Sequence, residues 1–150
     1  MFKSILLASL CLTNLHLNAQ VLPKDGPQRN QLIAMGFDIE KEEPTDTLTI
    51  ATIGTTKITF SQSKDRLAIS RYFNRAKVIS QSEEVELLNI INSFNREYAY
   101  QFTLEKTSIT VTLYDFGNYE PKTFAKMVRM IDKVNAVFDS QPGFYKLVNK

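Results

Sequence analysis

Several places along the chain carry residue types whose spacing could do chemistry. Ser61-Gln62-Ser63-Lys64 has the S-x-x-K spacing in which a lysine activates a serine nucleophile in penicillin-binding enzymes. It falls at a predicted turn and the companion motifs of those enzymes are missing, so it reads as turn chemistry. Glu83, Glu84 and Glu86 could serve as paired carboxylates. Acidic residues in the first turn of a helix are explained more simply by the helix dipole. Lys122, Lys126, Arg129 and Lys133 recur at spacings of four, three and four, which puts them on one helix face. That basic face could meet an acidic partner or anionic headgroups, or simply face water. Met127, Met130 and Val137 flank the apolar stripe of the same helix, either as an adaptable exposed patch or as filler of an irregular core. Tyr114, Phe116 and Tyr119 could form the lip of a ligand site or a core edge. The five glycines are isolated and no G-x-G occurs, so neither phosphate-cradling loop is present.

The chemistry that is missing narrows the field further. Lys3 is followed by the apolar run 5–12 and then by Leu17-Asn18-Ala19, the three parts of a secretion signal, and cleavage after Ala19 is predicted. Thr13, Asn14, His16 and Asn18 interrupt the run well short of the ~20 apolar residues that span a bilayer. Lipid attachment at Cys11 is a weaker alternative, because Leu10 is large where such a signal wants a small residue. The only cysteine, Cys11, and the only histidine, His16, both lie inside this segment. A mature domain would therefore lack disulfides, thiolate nucleophiles, imidazole bases and any zinc or copper site built on nitrogen or sulfur. Taking Lys3 from the 18 basic residues leaves 17 against 16 acidic ones. So even a balance gives no reason to expect a nucleic-acid partner. No cofactor is implied, and the expected location is periplasmic or secreted.

The elements that must position these residues follow from periodicity. The chain beyond residue 19 suits one domain, with a loose polar lead over 20–26 and the fold over 27–150. A helix over 27–35 is opened by Pro27 and closed by Gly36. Pro44 and Asp46 mark a turn, and three strands follow as a meander over 47–53, 57–61 and 66–72, with Gly54-Thr55 at the first hairpin. Ser80 and Glu83 stand at capping-box spacing before a helix running to about Asn95. Leu87, Leu88, Ile90, Ile91 and Phe94 cover well over a third of its circumference, so something besides the sheet should cover it. Strands over 98–104 and 109–113 alternate cleanly. Pro121 opens a last helix whose stripe is Phe124, Val128, Ile131 and Phe138, with 141–143 as its stop and an apolar tail over 144–148.

The order is α-β-β-β-α-β-β-α, an α+β fold, and short connections favour an antiparallel sheet. In Met35-Gly36-Phe37, the helix around 87–92, the strand Val111-Thr112-Leu113-Tyr114-Asp115 and the spacing to Phe124 and Phe138, the chain resembles the YbjN family. That family's fold is similar to the type III secretion chaperones. The resemblance implies a five-stranded antiparallel sheet with helices mainly on one face, and a habit of binding protein without a reaction. In the secretion chaperones the central helix commonly supplies a dimer contact, which the resemblance places around Ile90.

The expected function is a non-catalytic, chaperone-like or protein-binding module of the cell envelope, with a homodimer as one form. The expected interface is Leu87, Ile90, Phe94, Met127, Met130 and Val137, beside the basic face of Lys122, Lys126, Arg129 and Lys133. The alternative is a carrier or sensor of a small apolar ligand, held between sheet and helices near Phe60, Tyr100 and Phe102.

Overall fold

The computed structural model describes residues 20–40, 48–63, 66–75, 79–141 and 143–148. The signal over 1–19, the turn at Pro44 and Asp46, Lys64 and Pro142 lie outside them. The elements run α1 Pro27–Ala34, β1 Asp38–Ile39, β2 Thr49–Ile53, β3 Thr56–Ser63, β4 Arg66–Asn74, α2 Gln81–Glu97, β5 Gln101–Leu104, β6 Ser108–Asp115, α3 Pro121–Asp132, α4 Asn135–Asp139 and α5 Phe144–Leu147. One antiparallel sheet of six strands has the order β1-β2-β3-β4-β6-β5. Helix α2 carries the chain from β4 to the far edge, and the β5–β6 hairpin returns it so that β6 docks beside β4.

The sheet has six strands rather than the five that the periodicity predicts, because β1 is two residues long and so has no period to read. It pairs with β2 through Asp38 and Ile39, directly after the close of α1. There Gly36 takes φ +90°, the left-handed conformation in which a Cβ would be strained, and the Phe37 N–H returns 3.0 Å to the Leu32 carbonyl. Gly54 supplies the same freedom at φ +56° in the β2–β3 hairpin. The lead over 20–26, read from sequence as loose, makes contacts. Gln20 bridges Gln62, and Leu22 is fully buried with its N–H on the Thr49 hydroxyl at 2.8 Å.

Alternation along the strands sorts the two faces of the sheet. Ile58, Phe60, Leu67, Ile69, Phe102, Ile109, Val111 and Leu113 are buried in the core with α3's Phe124, Val128 and Ile131. Each large apolar side chain so buried contributes about 1.5–3 kcal/mol. The intervening residues form a polar face on which Thr59 Oγ1 donates to the Ser70 carbonyl and the Ser70 and Thr112 hydroxyls pair at 2.9 Å.

Around Phe138 the core is aromatic. Its ring stacks on Phe144 at 4.2 Å and meets Phe73 edge-on at 4.7 Å, with Phe94 and Phe102 also around it. This cluster covers part of the wide face of α2: Phe138 and Phe144 lie against Phe94, so the tail over 144–148 supplies cover that the sheet cannot, while Leu88 stays exposed. The predicted last helix is two helices, α3 and α4, because the chain turns at Lys133 and Val134 through short i→i−3 bonds that swing Val134 and Phe138 inward. Residue 138 lies seven positions beyond 131, so a straight helix and a broken one give the same stripe.

Candidate functional site

Helix α2 begins with the predicted capping box: the Ser80 N–H donates to Glu83 Oε2 at 2.7 Å and the Glu83 N–H to Ser80 Oγ at 3.4 Å. It ends where the Tyr98 N–H reaches the Phe94 carbonyl at 3.0 Å. The chain then leaves the helix axis, so 98–100 form a bend and the expected strand begins only at Gln101. Tyr98 and Tyr100 still alternate, but as one wall of a surface groove rather than as strand residues.

The opposite wall is α3 and α4. Helix α3 starts at Glu120, whose carboxylate accepts the N–H groups of Lys122 at 3.1 Å and Thr123 at 2.6 Å, with Pro121 at the first helical position. This start sets which residues face outward. Met130, Ala136 and Val137 join Tyr98, Ala99 and Tyr100 in a mostly apolar floor, and Lys126, Arg129 and Lys133 stand on its α3 side. Across from them is Glu97. The groove holds about 550 Å³ and is open to solvent. Its walls are tied together where the Tyr100 hydroxyl donates to the Met130 carbonyl at 3.1 Å. Burial, with Tyr98 adding to it, holds the Tyr100 phenol above its ordinary pKa, which keeps it a donor. Among the described residues, Lys126, Arg129 and Lys133 make no ion pair.

Two other hollows, of about 160 Å³ beside Met35 and Ile53 and about 150 Å³ beside Arg71 and Tyr145, fall below the ~300 Å³ at which ligand sites usually begin. Among the described residues no group of three or more His, Cys, Asp or Glu is placed to hold a metal ion. No helix among them is long and apolar enough to cross a membrane.

The residues singled out from sequence separate clearly. Met130 and Val137 come together with Lys126, Arg129 and Lys133 at the groove, whereas Lys122 lies outside its lining. Leu87 and Phe94 are fully buried in the chain's own core, so they are not a surface open to a partner. Ile90 and Met127 are half-buried and pack against that core. The exposed apolar residues of α2 are instead Val85 and Leu88. The pocket expected between sheet and helices is filled where Phe60 meets Phe124 at 6.1 Å and Phe102 meets Phe94 at 5.1 Å, whereas Tyr100 lines the surface groove.

Two of the three carboxylates do structural work. Glu83 caps α2, Glu84 lies 3.9 Å from Arg75, and Glu86 is exposed. Ser61 and Ser63 sit within strand β3, not at a turn. Tyr114 and Phe116 pair at 6.0 Å beneath Arg66, whereas Tyr119 packs on Phe124 and donates to Gln31, so the three aromatics form no common lip. Glu97, Tyr98, Ala99 and Ala136 belong to the groove without a sequence signal for it: the period-two pattern of 98–104 also fits a strand, and Ala136 lies on the short helix beyond α3.

No family model matches the sequence, and no curated protein matches it. Among solved structures the fold is similar to that of YbjN from E. coli, a proposed transcription regulator. The TM-score is 0.59 at 10% identity, over 81% of this chain and 93% of that one. At that identity the likeness speaks for architecture alone, and the chain has a YbjN-like fold.

Proposed function

We propose that the protein is a non-catalytic, exported binding module of the cell envelope, and that its groove takes an apolar, negatively charged segment of another protein. One observation carries this reading: an open apolar floor bordered by three cations that form no ion pair with a described carboxylate. Apolar anchors supply affinity in such sites, while charge selects and steers the partner. The openness favours a protein segment over a free molecule, since small-ligand sites bury 70–90% or more of their ligand. Photo-crosslinking in cells tests it. A crosslinking residue at Met130 or Ala136 is expected to trap the same envelope protein, and one at exposed Thr103 on β5 to trap nothing. Equal yields from all three positions would sink the reading.

A second reading, a carrier of a small apolar ligand, draws on the same groove volume. Native mass spectrometry of protein purified from envelope extract separates the two, since a carrier retains a small molecule and a docking module does not. Export is tested by sequencing the amino terminus of the envelope form, which is expected to begin at Gln20.

A further inference from the structure

We infer that the partner segment is an acidic amphipathic helix, laid along α3 with its apolar stripe in the groove and its carboxylates against Lys126, Arg129 and Lys133. This rests on the groove reading above and narrows it from an apolar anion to one shape.

The cations set the shape by their register. Residues 126, 129 and 133 recur at +3 and +4, so they form one row on the outside of α3, ending just past its last residue. At 1.5 Å per residue they stand about 4.5 and about 6 Å apart along the axis, about 10.5 Å in all. A helix lying beside α3 repeats its own side chains at the same rise, so acids at i, i+3 and i+7 meet the cations one for one. An extended strand offers same-side residues every ~6.7 Å, so by the third cation it is about 3 Å out of step.

The floor fits the same occupant. Met130, Val137 and the two tyrosines form an apolar strip for the i, i+3, i+4, i+7 anchors by which amphipathic helices dock. Ala99 and Ala136 leave room for close approach, and the unbranched methionine adapts to the anchor it meets. The walls differ in sign. Opposite the cations stand Glu97 and the carbonyl end of α2, both negative. A partner's carboxylate flank is repelled there and drawn to α3, which fixes the direction in which its helix runs.

The test uses the full chain with its methionine methyl groups labelled for NMR, so that Met130 reports on the floor. The probe is a capped, side-chain-stapled helical peptide with a leucine stripe and a glutamate flank. Its controls are the same composition scrambled to destroy the period, the same helix with lysine for glutamate, and dodecanoate. The glutamate helix is expected to shift the Met130 signal. Reversing two exposed ion pairs with Lys126→Glu and Lys133→Glu together should weaken it about tenfold, while Lys122→Glu, outside the groove, leaves it unchanged. Equal binding by the scrambled or the lysine peptide overturns the helix inference and leaves the groove reading standing. A Met130 shift with dodecanoate and with no peptide overturns it in favour of a small-ligand carrier. If no probe moves Met130, the inference and the groove reading fall together.

Discussion

Strand β5 is the outermost strand on its side of the sheet, and one side chain of α2 occupies its free edge. Asn95 Nδ2 donates to the Phe102 carbonyl at 2.9 Å, and the Phe102 N–H donates to Asn95 Oδ1 at 2.7 Å. Asn95→Ala removes both bonds. At about 1 kcal/mol net for each, the loss is about 2 kcal/mol. Alanine returns about 0.6 kcal/mol through its better helix propensity near the end of α2. The net destabilisation is therefore about 1.5 kcal/mol, which in a domain of this size lowers Tm by about 5 °C. Urea unfolding followed by far-UV circular dichroism measures the first figure, with the midpoint falling at constant slope. Hydrogen exchange at the Phe102 amide should accelerate by at least tenfold. A variant as stable as the parent or more so, with the Phe102 amide equally protected, would show that propensity outweighs the clamp and would refute the reasoning.

Phe138→Ala removes the ring at the centre of the aromatic cluster and should cost about 4 kcal/mol in the same urea assay. Phe116→Ala, at a side chain 72% exposed, should change stability by less than about 0.5 kcal/mol. Glu120 is held below its ordinary 4.5 by the Thr123 hydroxyl and then by the Thr123 and Lys122 N–H groups. Its contribution is therefore present above that range and lost as pH falls through the folded value, so acid titrations should show a steeper loss for the parent than for Glu120→Gln. Burial, then the hydrogen bond and charge of Asp139, push the Tyr145 phenol up to about 12. Its contribution is whole below the ordinary 10 and declines as pH climbs toward 12, so Tyr145→Phe should unfold less steeply in alkali, as circular dichroism would record.

Most of the fold is legible in sequence wherever a local rule acts alone. The capping box at Ser80 and Glu83, Pro121 at the start of α3, Gly36 after α1 and the alternation along β3, β4 and β6 each name their element without help from distant residues. Misreadings arise where two structures share one pattern. Tyr98 and Tyr100 fit a strand until the end of α2 is seen to redirect the chain, and the stripe through Phe124, Val128, Ile131 and Phe138 suits a straight helix as well as a broken one. The site is half legible for the same reason. Its cations and Met130 lie on one helix and its C-cap, where spacing finds them, whereas Tyr98, Ala99 and Ala136 are joined to them only by tertiary packing. Leu87 and Phe94 show the converse: a wide apolar face tells that a cover exists, but not that Phe144 and Phe138 provide it.

That cover also ties distant parts of the chain to one another. Phe144, Leu147 and Val148 are buried against residues made much earlier, with Phe144 stacked on Phe138 and beside Phe94. Every strand and α2 together, without these side chains, leave the aromatic cluster open, because one side of α2 still faces water. Closing the cluster joins Phe94 to Phe144 across the β5–β6 hairpin, α3 and α4, so both flanks of that stretch must be in place before either is covered.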